Sequence, residues 1–453
     1  MKKKLATISF ALAAVVMNGC QNMLEPKPID QLVNDIVLNE AKDIEAVETG
    51  LYQAFRITMP DVVIAGDLTP DNLIHNGTFS QYRELGVKRI TSANASANAL
   101  WGHIFQTVYI ANFMIERIPE ISGVSSALRT RAMATAYFLR GMSNFFGVMT
   151  FGRIPMVTTT NIEDNRNIPR APEAEMLAFI EQDLIRAFNN LPETVATPAT
   201  ASNYAVRAAL ARFYLYTKNY AAAELYSAAV INSGKYKLDT VPDVVFKDFP
   251  RQSIFEVGYT IADDSDPNNL NTLFVGRREI IPSNQLATLL DSATNPACGQ
   301  RRYAIKFDQA LLKGNDNGWT VAKYGTAVED NNNLYVFRLA EMFLIRAEAR
   351  AIQGNVSGEN SAQTDINTLR KRAYAAEIGS TSQSQMLQVI EEDRRLELAF
   401  EGHRWYDLRR TGRLPQVMPA FNPNWRSAFE LWPIPQRELQ NNPALAEDQN
   451  PGY

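Results

Sequence analysis

The stretch at 395–410 reads RLELAFEGHRWYDLRR. It carries Glu397, Glu401, His403, Asp407, Trp405 and four arginines, so two readings compete: a catalytic cluster, or a helix secured by charge. Extended back to 386, the pattern predicts one helix over 386–410. Leu387, Ile390, Leu396, Leu398, Phe400 and Trp405 supply its apolar surface. Glu391, Glu392, Arg394, Arg395, Glu397 and Glu401 are spaced to pair with residues three or four positions away. A catalytic reading makes Glu401 or Asp407 a general base beside His403. Catalytic groups usually converge on a cleft from separate elements. Glu401 and His403, two positions apart, fall on different faces of one helix. The stretch is therefore read as structural. Its arginines lock the helix to carboxylates on neighbouring elements, its aromatics anchor it, and Gly402 interrupts the run.

Outward from this stretch, helical periodicity dominates. A first helix is expected near Glu40–Ile57, where Ile44, Val47, Leu51, Ala54 and Phe55 form one stripe. The loop DLTPDNLIHNGTFSQYREL (67–85) follows. Two long helices are expected near Ala99–Arg117 and Ala127–Val148. A further one spans about Pro172–Asn190, ends at Leu191-Pro192 and gives way to the spacer ETVATPATAS. In Asn203–Asn232, Leu210, Ala211, Tyr214, Tyr220 and Ala223 stand at tetratricopeptide-repeat spacings, small residues letting two helices approach and aromatics filling the gap. A second unit is expected at Leu334–Tyr374. Stacked pairs of this kind form a right-handed α-superhelix. The fold class is thus mostly α, a tetratricopeptide-like superhelix with an irregular loop-rich insertion.

That insertion covers about 237–333, between helical frames at about 36–236 and 334–413. SIFEVGYTI alternates as a short strand, and DDSDPNNLN, KGNDNGW and EDNNN are loop sequences. Loops on a rigid frame commonly carry binding residues. After Arg413, prolines punctuate the chain, predicting an extended tail over 414–453 packed on the surface.

The chain begins MKKKLATISFALAAVVMNGC. Three lysines precede an apolar run from Leu5 to Val16 that is too short for a membrane span, so residues 1–19 read as a secretory signal. Small residues before Cys20 resemble a bacterial lipobox, with Met17 where leucine is more usual. Cys20 then becomes the lipid-bearing N-terminus of one domain over 20–453. Two or three acyl chains make such an anchor stable. Apart from Cys20 the only cysteine is Cys298, so no internal disulfide is expected. The net charge of −4 argues against a nucleic-acid binder. His75, His103 and His403 lack zinc-ligand spacing. No acidic loop completes a calcium pattern with a closing glutamate. No cofactor or metal is expected.

The order EEDRRLELAFEGHRWYDLRRTGRL, then LWPIPQRELQNNPALAEDQNPGY, resembles the C-terminal signature of the SusD/RagB family. YVFRLAEMFLIRAEARAIQG with INTLRKRA, and WGHIFQTVYIANFMIERIP with RTRAMATAYFLRGMSNFFGVMTFGRIP, are similar to it as well. The resemblance covers essentially the whole chain beyond Cys20, although the chain is short for the family, whose glycan-binding members often have larger loops. It implies a surface-exposed outer-membrane lipoprotein that sits as a lid over a SusC-type TonB-dependent transporter. Such a protein binds a nutrient without catalysis and releases it into the transporter.

Sugars present flat apolar faces for aromatic stacking, and their hydroxyls bond Asp, Asn and Arg. The candidate ligand residues are accordingly Asp71, Asn72, His75, Phe79 and Tyr82 in the first long loop, and Trp319 and Tyr324 in NGWTVAKYG of the insertion. Competing roles are weighed for three of them: Asp71 and Asn72 as helix caps or turn residues, and Trp319 as core filling. Trp101 is expected in the core, and Trp405, Trp425 and Trp432 pack the C-terminal helix and tail. The leading function is capture of oligosaccharides for the transporter. Oligopeptide cargo in the same role, or a surface glycosidase using distant carboxylates, are the alternatives.

Overall fold

The computed structural model describes residues 38–239, 247–258, 270–325 and 332–453. The leader and Cys20 lie outside the described residues. The principal helices are α1 (Asp43–Leu68), α2 (Ala95–Arg117), α3 (Ser126–Phe151), α4 (Glu173–Asn190), α5 (Asn203–Tyr216), α6 (Tyr220–Asn232), α7 (Leu339–Ile352), α8 (Ala362–Arg372), α9 (Gln383–Glu397) and α10 (Arg404–Arg410). Helices α1 to α9 pack in series, each against the next, with α6 meeting α7 across the insertion. This is the mostly helical stack of hairpins that the periodicity predicts.

The helix starts follow local chemistry. Asn94, Ser125, Ser202 and Asn219 each accept backbone N–H groups at the starts of α2, α3, α5 and α6. Ser361 and Ser382 form capping boxes at α8 and α9. A cap of this kind contributes about 1 kcal/mol. Helix α1 runs past its expected end at Ile57 and through Pro60. An interior proline costs about 3 kcal/mol, but Val62, Val63, Ile64 and Ala65 beyond it are all buried, and that burial outweighs the cost. The second repeat unit begins at Leu339 rather than Leu334, because Leu334–Arg338 is a strand.

Among the described residues, six short strands pair as three antiparallel ribbons: β1 (Leu73–His75) with β3 (Ile280–Pro282), β2 (Ser253–Val257) with β6 (Leu334–Arg338), and β4 (Ile305–Phe307) with β5 (Trp319–Val321). The expected strand in SIFEVGYTI is β2. The main apolar core spans helices, ribbons and tail alike, from Leu38 to Ile434.

Two expectations are corrected. The run 386–410 is two helices, not one: α9 ends at Glu397, and Phe400 (φ 68°) and Gly402 (φ 81°) turn the chain before α10. The cause is a close backbone crossing with α1. A Cβ on Gly66 would sit 2.2 Å from the Gly402 carbonyl oxygen, and the Gly402 N–H donates to Asp67 Oδ2 at 2.6 Å. The tail is not extended throughout or confined to the surface either. It holds helices at Leu414–Phe421 and Gln436–Asn441, and it threads Trp432 and Ile434 into the core. Pro415 sits in the first turn of the first of these helices, where a missing N–H costs nothing.

The opening question is answered by where the charges point. Glu397 accepts from Arg301 Nε at 2.8 Å, Arg338 Nη1 at 2.7 Å and Arg372 Nη2. Glu401 accepts from Arg338 Nε at 2.7 Å and from Lys323. Arg301 and Arg370 share Asp393, and Arg410 reaches Glu348 on α7 at 2.5 Å. Nearly all of these pairs join separate elements rather than neighbours on one helix; Asp407–Arg410 is the i,i+3 exception. Ile390, Leu396, Leu398, Phe400 and Trp405 are all buried beneath them.

Candidate functional site

The ribbons β1–β3 and β4–β5 lie side by side and carry the candidate loops. The turn after β1 is strapped around the buried carboxylate of Glu279. His75 Nε2 lies 3.1 Å from its Oε1, and the Phe79 backbone N–H donates to the same oxygen. The N–H groups of Asn76 and Gly77 donate to the Glu279 carbonyl at 2.9 and 3.1 Å. Gly77 lets the strap lie close on this carboxylate: a Cβ would fall 2.0 Å from Glu279 Oε2 and push it aside.

This strap presents Phe79 and, from the short helix Ser80–Gly86, Tyr82, with ring centroids 6.1 Å apart. The Arg277 guanidinium lies over the Phe79 ring at 4.5 Å, a cation–π contact. A second aromatic pair stands on the other ribbon. Phe307 and Trp319 are cross-strand partners in register, with centroids 4.9 Å apart. Trp319 is half-buried, which leaves part of the ring for stacking, while Phe307 is 46 % exposed.

A polar staple joins the two ribbons. Arg278 donates to both oxygens of Asp316 at 2.6 Å and to the Trp319 carbonyl at 2.9 Å. Asn76 Nδ2 donates to Asp316 Oδ2 at 3.1 Å and to the Arg278 carbonyl at 2.9 Å. Arg278, the Asp316 Oδ1 contact of the Gly318 N–H, and Asn76 hold the Asp316 carboxyl below its usual range. Consecutive arginines thus serve both aromatic pairs: Arg277 covers Phe79, and Arg278 fixes the backbone beneath Trp319.

The other candidates sit behind this face. Asp71 is 1 % exposed and accepts from Arg404 Nε at 2.8 Å and Arg404 Nη2 at 3.1 Å, with Arg395 Nη2 also 3.0 Å from Oδ2. Asn72, equally buried, donates to Asp67 Oδ1 at 2.6 Å and accepts from Arg395 Nε at 2.9 Å. Neither caps a helix; both lie in the turn between α1 and β1, the competing role weighed for them, and bind the RLELAFEGHRWYDLRR segment to β1. Tyr324 is 3 % exposed, and its hydroxyl donates to the Phe400 carbonyl at 2.7 Å. Trp101 is a core residue, as expected, and Trp405 and Trp432 on the C-terminal helix and tail are buried as well.

Sequence reasoning missed Phe307, Arg277, Arg278 and Asp316. The turn signal in KGNDNGW was visible, but the register that sets Phe307 opposite Trp319 was not. Among the described residues, no group of three or more His, Cys, Asp or Glu side chains is placed to hold a metal ion. Among them, too, no helix is long and apolar enough to cross a membrane.

A stack of helical hairpins holding a strand-and-loop face of paired aromatics is a scaffold class with known relatives. Residues 310–453 match the SusD family, and residues 23–215 match a family described as starch-binding, associating with outer membrane. The chain belongs to the SusD/RagB family. It is 24% identical to the SusD-like protein P38 of Formosa agariphila, over 99% of this chain and 98% of that one. It is 34% identical over 137 residues to the starch-binding protein SusD of Bacteroides thetaiotaomicron, a match covering 28% of this chain and 23% of that one. Its fold is similar to a laminarin-binding SusD-like protein (TM-score 0.79, 24% identity, 92% of this chain and 100% of the other). It is also similar to the surface glycan-binding protein A of Bacteroides fluxus (TM-score 0.77, 21% identity, 92% and 100%).

Proposed function

We propose that this chain is a surface-exposed lipoprotein, anchored in the outer membrane through Cys20, that captures oligosaccharides and delivers them to a SusC-type TonB-dependent transporter. The observation that carries the reading is the stapled face with two aromatic pairs, Phe79–Tyr82 and Phe307–Trp319. Aromatic rings stack on the apolar faces of sugar rings, and two separated pairs suit a chain of sugars better than a single one. Arg277, exposed beside Phe79, and the neighbouring Asn and Asp side chains supply partners for hydroxyls. Phe79, Tyr82 and Trp319 are the contact residues in this reading. His75 positions the strap through Glu279, while Asp71, Asn72 and Tyr324 hold the frame from behind. The names of the starch-, laminarin- and glycan-binding relatives support the sugar class, and the lipobox supports the anchor. Ligand is bound and released unchanged.

The test is titration of the purified chain with neutral α- and β-linked gluco-oligosaccharides, and separately with mixed oligopeptides, following tryptophan emission and heat. Saturable sugar binding that weakens about tenfold or more in Trp319→Ala is the expected result, the order of one lost stacking partner. Binding of peptides alone would replace the cargo while leaving the transporter role. Hydrolysis of either pool would overturn the binding reading.

A further inference from the structure

The aromatic face is short of hydrogen-bond acceptors. Glu279 is buried, and its Oε1 is taken by His75 and the Phe79 N–H. Both oxygens of Asp316 are filled: Oδ1 accepts from Arg278 Nη2 and the Gly318 N–H, and Oδ2 from Arg278 Nε and Asn76 Nδ2. Asn317 Oδ1 accepts from the Trp319 N–H. Asp308, just past Phe307, is exposed and gives one oxygen to the Ala310 N–H. A neutral sugar needs acceptors as well as donors, because a hydroxyl both gives and takes hydrogen bonds.

Donors are in surplus. Segments 75–83, 277–282 and 302–321, which span the two ribbons and their turns, carry six arginines and lysines against three carboxylates, although the whole chain has a net charge of −4. Of the six, Arg278 alone makes an ion pair among the described residues. Arg277 is the best placed of the others. It is exposed, it lies 4.5 Å from the centre of the Phe79 ring, and its guanidinium has no hydrogen-bonding or ionic partner among the described residues. A second arginine–aromatic pair precedes β4, where Arg302 covers Tyr303 at 4.7 Å and both side chains are exposed. Stacking engages the flat face of a guanidinium and leaves its in-plane N–H groups to donate outward.

We propose that the glycan held on this face is anionic, with a carboxylate or sulfate group received by Arg277 while the sugar ring that bears it stacks at the Phe79–Tyr82 pair. The inference rests on the glycan reading above and narrows its substrate class. Ionised carboxylate and sulfate groups are acceptors only, so they suit a face of donors, and each can take two parallel N–H bonds from one guanidinium. The uncommitted oxygen of Asp308 belongs to the other ribbon, beyond Phe307, and does not stand between Arg277 and such a group.

The experiment is calorimetric titration of the purified chain with two matched pairs of sugars: hexagalacturonate against its methyl ester, and sulfated against unsulfated maltohexaose. The first pair isolates a carboxylate and the second a sulfate. The charged member of at least one pair is expected to bind about tenfold tighter, with a preference that shrinks as salt rises. Arg277→Gln is expected to bring that ratio to about one, and Arg277→Glu to invert it. Arg166→Gln, at an exposed position outside the ribbons, controls for overall charge and keeps the ratio. Three results would overturn the proposal: neutral members that bind as tightly as the charged ones, a preference that survives Arg277→Gln, or one that is lost equally in Arg166→Gln. Each of these leaves the glycan reading standing, because sugar still binds. Failure of all four sugars to bind would overturn both.

Discussion

Glu397→Gln is the sharpest probe of the ionic core. The substitution keeps shape and a hydrogen-bond acceptor but removes one negative charge. That charge serves Arg301 and Arg338, both buried, and the partly buried Arg372. Arg301 retains Asp393 and Arg338 retains Glu401, but among the described residues no second carboxylate pairs with Arg372. Breaking one buried pair in this way costs about 3–5 kcal/mol, against a total stability of about 5–15 kcal/mol for a folded protein. Urea unfolding followed by far-UV circular dichroism measures the loss as a lower midpoint with an unchanged slope. Glu40→Gln, which breaks an exposed pair with Lys42, is the control and leaves the unfolding midpoint unchanged. Acid titration gives a second readout. Burial raises the Glu397 carboxyl, but Arg372, Arg338 and Arg301 outweigh it and hold it well below its usual range. A carboxyl depressed in the folded state contributes stability that is fully present above its unfolded pKa of about 4.3 and is lost as pH falls through the folded value. The wild type therefore weakens below about pH 4, and Glu397→Gln shows less of that decline. A variant within about 1 kcal/mol of wild type at pH 7, with the same acid profile, refutes the argument that this charge organises the interior.

Gly66→Ala drives a methyl group to 2.2 Å from the Gly402 carbonyl oxygen, so either α1 or the turn after α9 must shift. A loss of about 3 kcal/mol or more is expected on thermal unfolding, and an unchanged melting temperature would contradict the crossing. Lys88 is 3 % exposed, donates to the Leu68 and Leu85 carbonyls, and is lowered by burial from 10.5 to about 7. Between about pH 7 and 10 the unfolded chain holds a proton that the folded chain lacks, so stability rises with pH across that window. Lys88→Met flattens the rise, measurable by denaturant midpoints at several pH values. Phe307→Ala, at an exposed position, leaves stability within about 1 kcal/mol but weakens oligosaccharide binding, since it removes the outer ring of the second aromatic pair.

The helical frame was legible because its stripes are long. Ile44, Val47, Leu51 and Phe55, and the small-residue and aromatic spacing in 203–223, specify faces that only helix hairpins bury. The break at 398–403 was marked only by Gly402, because Leu398, Phe400 and Trp405 stay apolar across it; the reason for the turn lies on α1, at Gly66 and Asp67. Asp71 and Asn72 misled for the same kind of reason. In sequence they look like loop polar groups open to a ligand. Their partners, Arg395 and Arg404, lie more than three hundred positions away. Phe79, Tyr82 and Trp319 were recognisable as aromatics in loops, whereas the staple of Arg278, Asp316 and Asn76 needed the ribbons to be placed side by side.

The charge-rich stretch that resembles an active site gains its meaning from this long reach. A buried ion pair is weak evidence of stability in itself, since apolar residues of similar size often serve as well. What the pairs provide is a single arrangement. Arg338 at the end of β6 binds Glu397 and Glu401 on either side of the turn, and Lys323 binds Glu401 together with the Ala399 carbonyl at 2.7 Å. The turn so fixed delivers the Gly402 N–H to Asp67 and sets α10 so that Arg404 meets Asp71. Asp71 and Asn72 lead directly into β1, whose end is the strap that presents Phe79. Apolar contacts tolerate a slide of an ångström along a helix, but bidentate guanidinium pairs do not. The same segment therefore orients the aromatic face from behind. A substitution that relaxes this network is expected to disturb the aromatic face before it unfolds the chain.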